Sequence, residues 1–208
     1  PTGSFVSIEN VKKITRQHPH TLFLIDEAYF EFIGQSISNF AVRKKNLIVT
    51  RTFSKAFALA SFRIGYVISN SLNIHILNKI RNSKNISTLS QVAAEAALDS
   101  IVYMESYVAE VSKSRDYFVA QLNTLSEIKI YPSCANFVFI KFYSSETKYE
   151  IIRFLENYKI FVRDYGHVNG MGKFIRISIG TMDQMKIVVT KLHTIFNLLK
   201  NETNNPRP

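Results

Sequence analysis

The chain has 208 residues, 46% hydrophobic and 12% aromatic, which is material for one large domain or one and a half smaller ones. No stretch reaches about 18 uninterrupted apolar residues, so no membrane span is expected. Lys and Arg number 26 against 16 Asp and Glu, a net charge of +10, which could attract nucleic acid, acidic lipid or phosphorylated metabolites. The basic residues are scattered, as at Lys12-Lys13, Arg43 to Lys45, Lys79, Arg81, Lys84, Lys186 and Lys191. No RNP-like aromatic motif, zinc-finger spacing or recognition helix accompanies them, so they read as solvated helix faces and no nucleic-acid partner is expected. The single cysteine, Cys134, excludes an internal disulfide and suits a reducing, cytoplasmic compartment. The start has neither the basic segment nor the apolar core of a signal peptide, and it lacks Met. The chain therefore reads as processed, trimmed or a fragment.

Phe5, Ile8, Val11 and Ile14 recur at three-residue spacing, which predicts an amphipathic helix ending near Gln17 with Ser7 as its N-cap. His18-Pro19-His20 breaks it. The wholly apolar run at 21–25 ends in Asp26-Glu27, and runs at 46–51 and 64–69 repeat the pattern. Strands apolar on both faces predict a mostly parallel sheet covered by helices, with ligands at the carboxyl ends of its strands. From Leu72 the period turns helical, and residues 89–125 read as one long helix leading into a second domain. Strands are expected at 128–131, 136–142, 160–162 and 174–179, and helices at 146–158 and 182–200. The fold class is thus α/β: residues 1–100 belong to a large domain, 101–200 form a small α+β domain, and 201–208 are a frayed tail.

Chemistry-bearing residues gather at the strand ends. Asp26 closes one apolar run, with Tyr29 three residues on; Thr52, Ser54, Lys55 and Arg63 follow another. Taken alone, Asp26 is equally a helix cap or strand-end turn, and the lysine loop is equally a solvated basic loop. Together they supply an amine, a carboxylate and an anion-binding hydroxyl and guanidinium group, which is what pyridoxal 5'-phosphate requires. The lysine forms a Schiff base and moves a proton, and the acid keeps the pyridine nitrogen protonated. The five histidines show no metal-ligand spacing, so no metal is expected.

The strings Leu-Ile-Asp-Glu-Ala-Tyr-Phe-Glu-Phe (24–32) and Thr-Arg-Thr-Phe-Ser-Lys-Ala-Phe-Ala-Leu-Ala-Ser-Phe-Arg-Ile-Gly-Tyr (50–66) resemble the histidinol-phosphate aminotransferase branch of the fold-type I, class I/II aminotransferases. Pro1-Thr2-Gly3, Pro132-Ser-Cys-Ala-Asn-Phe-Val138, Phe161-Val-Arg-Asp164 and Phe174-Ile-Arg-Ile-Ser-Ile-Gly-Thr181 match in the expected order. Ser61 stands where that family often has glycine. The resemblance implies a pyridoxal-phosphate transaminase of histidine biosynthesis, with L-histidinol phosphate as amino donor, the 2-oxo acid 2-oxoglutarate as acceptor and a homodimeric assembly. It implies Lys55 as the Schiff-base lysine, Asp26 at the pyridinium and Tyr29 at the phenolic oxygen. Ser54 and Arg63 are implied at the phosphate, with Thr52 beside them. Arg176, Arg163 and Asn136 are implied as substrate contacts. Related transaminases of aromatic amino acids or surface-sugar precursors share these anchors, as does a threonine-phosphate decarboxylase. The resemblance also implies site residues upstream of Pro1, including an asparagine, a Gly/Ala turn, a ring-stacking aromatic and a partner subunit's tyrosine. Without them the site is incomplete, and the 208-residue chain by itself is expected to be inactive.

Overall fold

The computed structural model describes residues 2–204, and side chains as far as Asn201. Pro1 of the Pro-Thr-Gly string and residues 205–208 of the expected tail lie outside the described residues. The chain divides into two compact units, one of residues 5–108 and one of residues 1–4 with 109–208. The division falls inside a helix, eight residues after the boundary at 100/101 expected from the sequence.

In the first unit, helix α1 (Ile8–Gln17) starts where Ser7 accepts a hydrogen bond from the Asn10 amide, as its sequence predicts. Its buried face is narrower than the spacing implies: Val11 is buried, whereas Phe5 and Ile14 are 42% and 43% exposed. Strands β1 (Phe23–Asp26), β2 (Leu47–Thr52) and β3 (Gly65–Ile68) form a sheet in that order. β1 and β2 are parallel, with Asp26 opposite Thr50. β3 runs antiparallel to β2, unlike the parallel pattern expected of it. The reason is the connection: residues 53–64 hold only a 3₁₀ turn at Ala60–Phe62 and no crossover helix to bring a strand back parallel. Gly65 is required at the start of β3, because a Cβ there would lie 2.6 Å from the Arg51 carbonyl oxygen.

Alternation divides this sheet into two faces. Leu47 and Val49 pack with Val11, Ile37, Ala41, Phe23, Ile25 and Ile68 in a core beneath α1 and the short helix α3 (Ser38–Ala41). The opposite face of β1 is open: Leu22 and Leu24 are 62% and 65% exposed, so β1 is not the doubly buried strand its composition suggests. α3 and the one-turn helix α2 (Phe30–Ile33) were not evident from periodicity, being too short to show a repeat. Helix α4 spans Ser71–Ile80. The long run expected at 89–125 is two helices, α5 (Thr88–Asp99) and α6 (Ile101–Leu122), interrupted at Ser100, whose φ/ψ of −103°/34° leaves the helical region.

The second unit is an antiparallel sheet in the order β4-β5-β7-β6, from β4 (Ile128–Tyr131), β5 (Phe137–Phe142), β6 (Arg163–Asp164) and β7 (Phe174–Ser178). β5 is buried along most of its length, and its core includes Phe139, Ile140, Phe142, Ile175 and Phe196. Helix α7 (Ser145–Asn157) and helix α8 (Met182–Asn204) complete the unit. The strand expected at 160–162 is displaced to Arg163–Asp164. Lys159 has φ 60° and the Ile160 amide returns to the Leu155 carbonyl, so the chain is still closing α7 at that point. α8 continues four residues past the expected start of the tail, since nothing before Pro206 forbids helix.

Candidate active site

The parallel pair β1–β2 sets out the first group of residues. Asp26 is the last residue of β1, and its Oδ1 accepts from the Ala28 amide at 3.1 Å and from Thr50 Oγ1 at 3.4 Å. Both bonds fall on Oδ1, so Oδ2 is the oxygen a cationic partner would take. The turn that follows carries Tyr29, and the Lys55 ammonium lies 5.5 Å from the centre of the Tyr29 ring. Strand-end carboxylate, tyrosine and lysine are thus gathered at the carboxyl end of two adjacent parallel strands.

The lysine sits in a shaped loop. The Ser54 amide donates to Thr52 Oγ1 at 3.1 Å, and the Ala58 amide to the Lys55 carbonyl at 3.0 Å. Phe53 and Ile64 are buried with Ala94 of α5, and Phe57, Leu59 and Phe62 pack against them. Ser90 Oγ of α5 donates to the Phe62 carbonyl at 2.8 Å. Two non-glycine residues of this loop, Ala58 (φ 57°) and Arg63 (φ 52°), adopt left-handed backbone, a conformation that costs about 1–3 kcal/mol and that packing must hold. Arg63 is exposed and donates to the Ala60 carbonyl at 3.0 Å. Ser61, in the 3₁₀ turn before it, is also exposed.

Three expected residues belong to the second unit. Arg163 of β6 and Arg176 of β7 are direct cross-strand partners. Side chains so paired stand about 5 Å apart at Cβ, and like charges there repel. Arg176 is half-buried and its guanidinium lies 4.9 Å from the Phe137 ring centre, yet its Nε is buried with no hydrogen-bond partner among the described residues. No acid neutralises it among the ion pairs of the described residues. Asn136 precedes β5, and its carbonyl accepts from the Ile179 amide at 2.9 Å.

Two ion pairs were missed from the sequence. Glu27 and Arg51 are bonded at 3.0 Å with side chains 9% and 11% exposed. Strand alternation was the signal available: Arg51 lies between Thr50 and Thr52 and so faces the other side of the sheet. In the second unit the fully buried Lys148 ammonium bonds Asp164 at 2.7 Å and lies 4.0 Å from the Tyr149 ring centre. Burial works to raise the Asp164 pKa, but the hydrogen bonds from Lys148 and the Gly166 amide, with the charges of Lys148 and His167, hold it below the ordinary value. Among the described residues there is no cluster of His, Cys, Asp and Glu fit to hold a metal ion, and no helix long and apolar enough to cross a membrane.

Comparison with known proteins shows the family. Residues 1–192 match the family described as aminotransferase class I and II. A dihydroxyacetone phosphate transaminase of Campylobacter jejuni is 48% identical over 195 residues, covering 92% of this chain and 52% of the relative. A histidinol-phosphate aminotransferase of Clostridium kluyveri is 36% identical over 195 residues, covering 94% and 54%. The chain therefore spans about half the length of the curated relatives it matches. Among solved structures, the histidinol-phosphate aminotransferase of Sinorhizobium meliloti in complex with pyridoxal-5'-phosphate superposes with a TM-score of 0.83 at 30% identity, covering 96% of this chain and 55% of that one. The chain, with its sheet ending in Asp26 and the Lys55 loop, belongs to the class I and II aminotransferase family.

Proposed function

We propose that the full-length protein is a pyridoxal-phosphate-dependent aminotransferase acting on a small phosphate-bearing substrate, and that residues 1–100 supply part of its cofactor-binding domain and 101–200 its smaller domain. The observation that carries this reading is the Lys55 ammonium 5.5 Å from the Tyr29 ring, beside the strand that ends in Asp26. The donor set fits the cofactor. Asp26 has a carboxylate oxygen for a protonated ring nitrogen, and the left-handed Arg63 and the Ser54 turn offer cation and hydroxyl to a phosphate. When bound, pyridoxal phosphate supplies an electron sink for the substrate α-carbon.

In this reading Lys55 Nζ would hold the cofactor while substrate is absent and, once freed by the incoming substrate amine, would move the proton at the α-carbon. Asp26 would keep the ring nitrogen protonated and Tyr29 would donate to the phenolic oxygen, while Thr52 orients Ser54 through its amide. Arg176 and Arg163 take the substrate's anionic group, which relieves their mutual repulsion and satisfies the buried Nε of Arg176; Asn136 lines the same pocket. A homodimer in the cytoplasm is part of the same reading.

The 48% identity to a dihydroxyacetone phosphate transaminase favours dihydroxyacetone phosphate, or its 2-amino counterpart, as the phosphate-bearing substrate. A second reading, L-histidinol phosphate, is favoured by the motif resemblance and by relatives of that name at 36% identity. The test mixes full-length protein and pyridoxal phosphate with each candidate amine and follows loss of the visible cofactor band. Faster conversion by the 2-amino analogue of dihydroxyacetone phosphate supports the first reading, and faster conversion by histidinol phosphate the second. Conversion by aromatic amino acids alone, or carbon dioxide release from threonine phosphate, overturns both.

A further inference from the structure

Glu27 and Arg51 lie on the face of the sheet turned away from Asp26, Thr50 and Thr52, yet Glu27 follows Asp26 in the chain and Arg51 stands between Thr50 and Thr52. Glu27 Oε1 accepts from the Ile37 amide at 2.8 Å, and Oε2 accepts from Ser36 Oγ at 2.7 Å and from Arg51 Nε at 3.0 Å. Arg51 Nη2 donates to Ser36 Oγ at 2.7 Å, and the guanidinium lies 3.5 Å from the centre of the Phe30 ring. Three separate segments are thereby joined: the end of β1, the chain entering α3, and the end of β2. Phe30 adds the turn, because it directly follows Tyr29 and its amide bonds the Glu27 carbonyl at 2.9 Å.

A buried ion pair is commonly no more stabilising than an apolar pair of the same volume, because desolvation offsets the attraction. What this pair supplies is direction: Arg51 Nε and Nη2 both face Glu27 Oε2 and Nη2 also bonds Ser36 Oγ, so one planar guanidinium fixes the carboxylate and the hydroxyl together. Asp26 and Lys55 belong to different segments, and the β1–β2 ladder, the Thr50–Asp26 hydrogen bond and this network all bear on how the two strand ends sit. A displacement of about 1 Å between reacting groups can cost a factor of roughly a hundred in rate.

We propose that Glu27 and Arg51, with Ser36, are positioning residues that lock the two strand ends so that Asp26, Tyr29 and the Lys55 loop meet the cofactor in register. This inference rests on the roles given above to Asp26 and Lys55. Full-length Glu27→Gln, Arg51→Lys and Ser36→Ala variants test it through the dissociation constant of pyridoxal phosphate, kcat, and the KM for the amino donor. Val11→Ala, which loosens the same core from α1 without touching the network, is the control for stability alone. The expected result is a roughly tenfold weaker cofactor affinity and a lower kcat with unchanged KM in Glu27→Gln and Arg51→Lys. Ser36→Ala should show a smaller loss, and Val11→Ala a lower melting temperature with wild-type affinity. Where Arg51→Lys fails to fold, Glu27→Gln and Ser36→Ala carry the same comparison. Cofactor affinity within twofold of wild type in the folded variants overturns the proposal and leaves a structural pair. A Lys55→Ala protein that keeps the visible cofactor band instead overturns the underlying site reading, whatever the other variants do.

Discussion

Arg51 and Arg176 are both strand arginines removed from much of the solvent, and they are provided for in opposite ways. Arg51 has a carboxylate, a hydroxyl and an aromatic face, each within contact distance. Arg176 has the Phe137 ring and, directly across the ladder, a second arginine, while its buried Nε finds no partner among the described residues. Burying guanidinium is costly unless its donors are met. An arginine whose needs are met inside the chain holds structure, and one whose needs are left open is suited to an anion from outside.

Separating the two arginines by substitution gives the largest expected effect. Arg51→Ala leaves the Glu27 side chain, 9% exposed, without its cation, and is expected to lower unfolding stability by about 3–5 kcal/mol in denaturant titration. Asp164→Ala leaves the Lys148 ammonium buried and is expected to cost about 2–3 kcal/mol, less than a fully buried pair because the Asp164 side chain is 37% exposed. Arg176→Ala should leave stability within about 1 kcal/mol of wild type but raise KM for the phosphate-bearing substrate about 10–100-fold, the strength of a charge-assisted hydrogen bond. An Arg176→Ala protein as unstable as Arg51→Ala would erase the distinction.

Acid and base behaviour sharpens the comparison at smaller scale. The Asp164 carboxyl has a folded-state pKa below its unfolded value, so its stabilisation is present above the unfolded value and is lost as pH falls through the folded one. Asp164→Asn should flatten acid unfolding in that range. Glu31, next to the Arg51 network, is shifted the other way: burial is the main cause, opposed by its own backbone hydrogen bond and the Arg51 charge, and Glu27 adds repulsion. Its Oε2 is buried without a partner among the described residues. A raised carboxyl pKa favours the folded state below the unfolded value, and this advantage fades as pH rises through the folded one. Glu31→Gln should therefore raise the melting temperature slightly at pH 7 and leave it unchanged at acid pH.

Local signals carried much of the architecture. Ser7 followed by Asn10 marked the helix start, and the apolar runs ending in Asp26 and Arg51 marked the strands whose ends gather the chemistry. Strand direction and sidedness were less legible. The antiparallel return of β3 depends on the absence of a crossover helix, and the open face of β1 looks in sequence like a buried strand, since Leu24 is apolar but 65% exposed. The break at Ser100 has no Gly or Pro to announce it. Glu27 and Arg51 escaped notice because each stands beside a residue with a more evident role, and only the pairing of β1 with β2 brings them together.

Lys55, held on its packed loop with its ammonium near the Tyr29 ring, is the amine proposed to bond the cofactor. Full-length wild type and Lys55→Ala, each mixed with pyridoxal phosphate and scanned in the visible range, test it directly. The wild type should develop the absorbance of lysine-bound cofactor and Lys55→Ala should not. The same band in both proteins, or in neither, would contradict the claim.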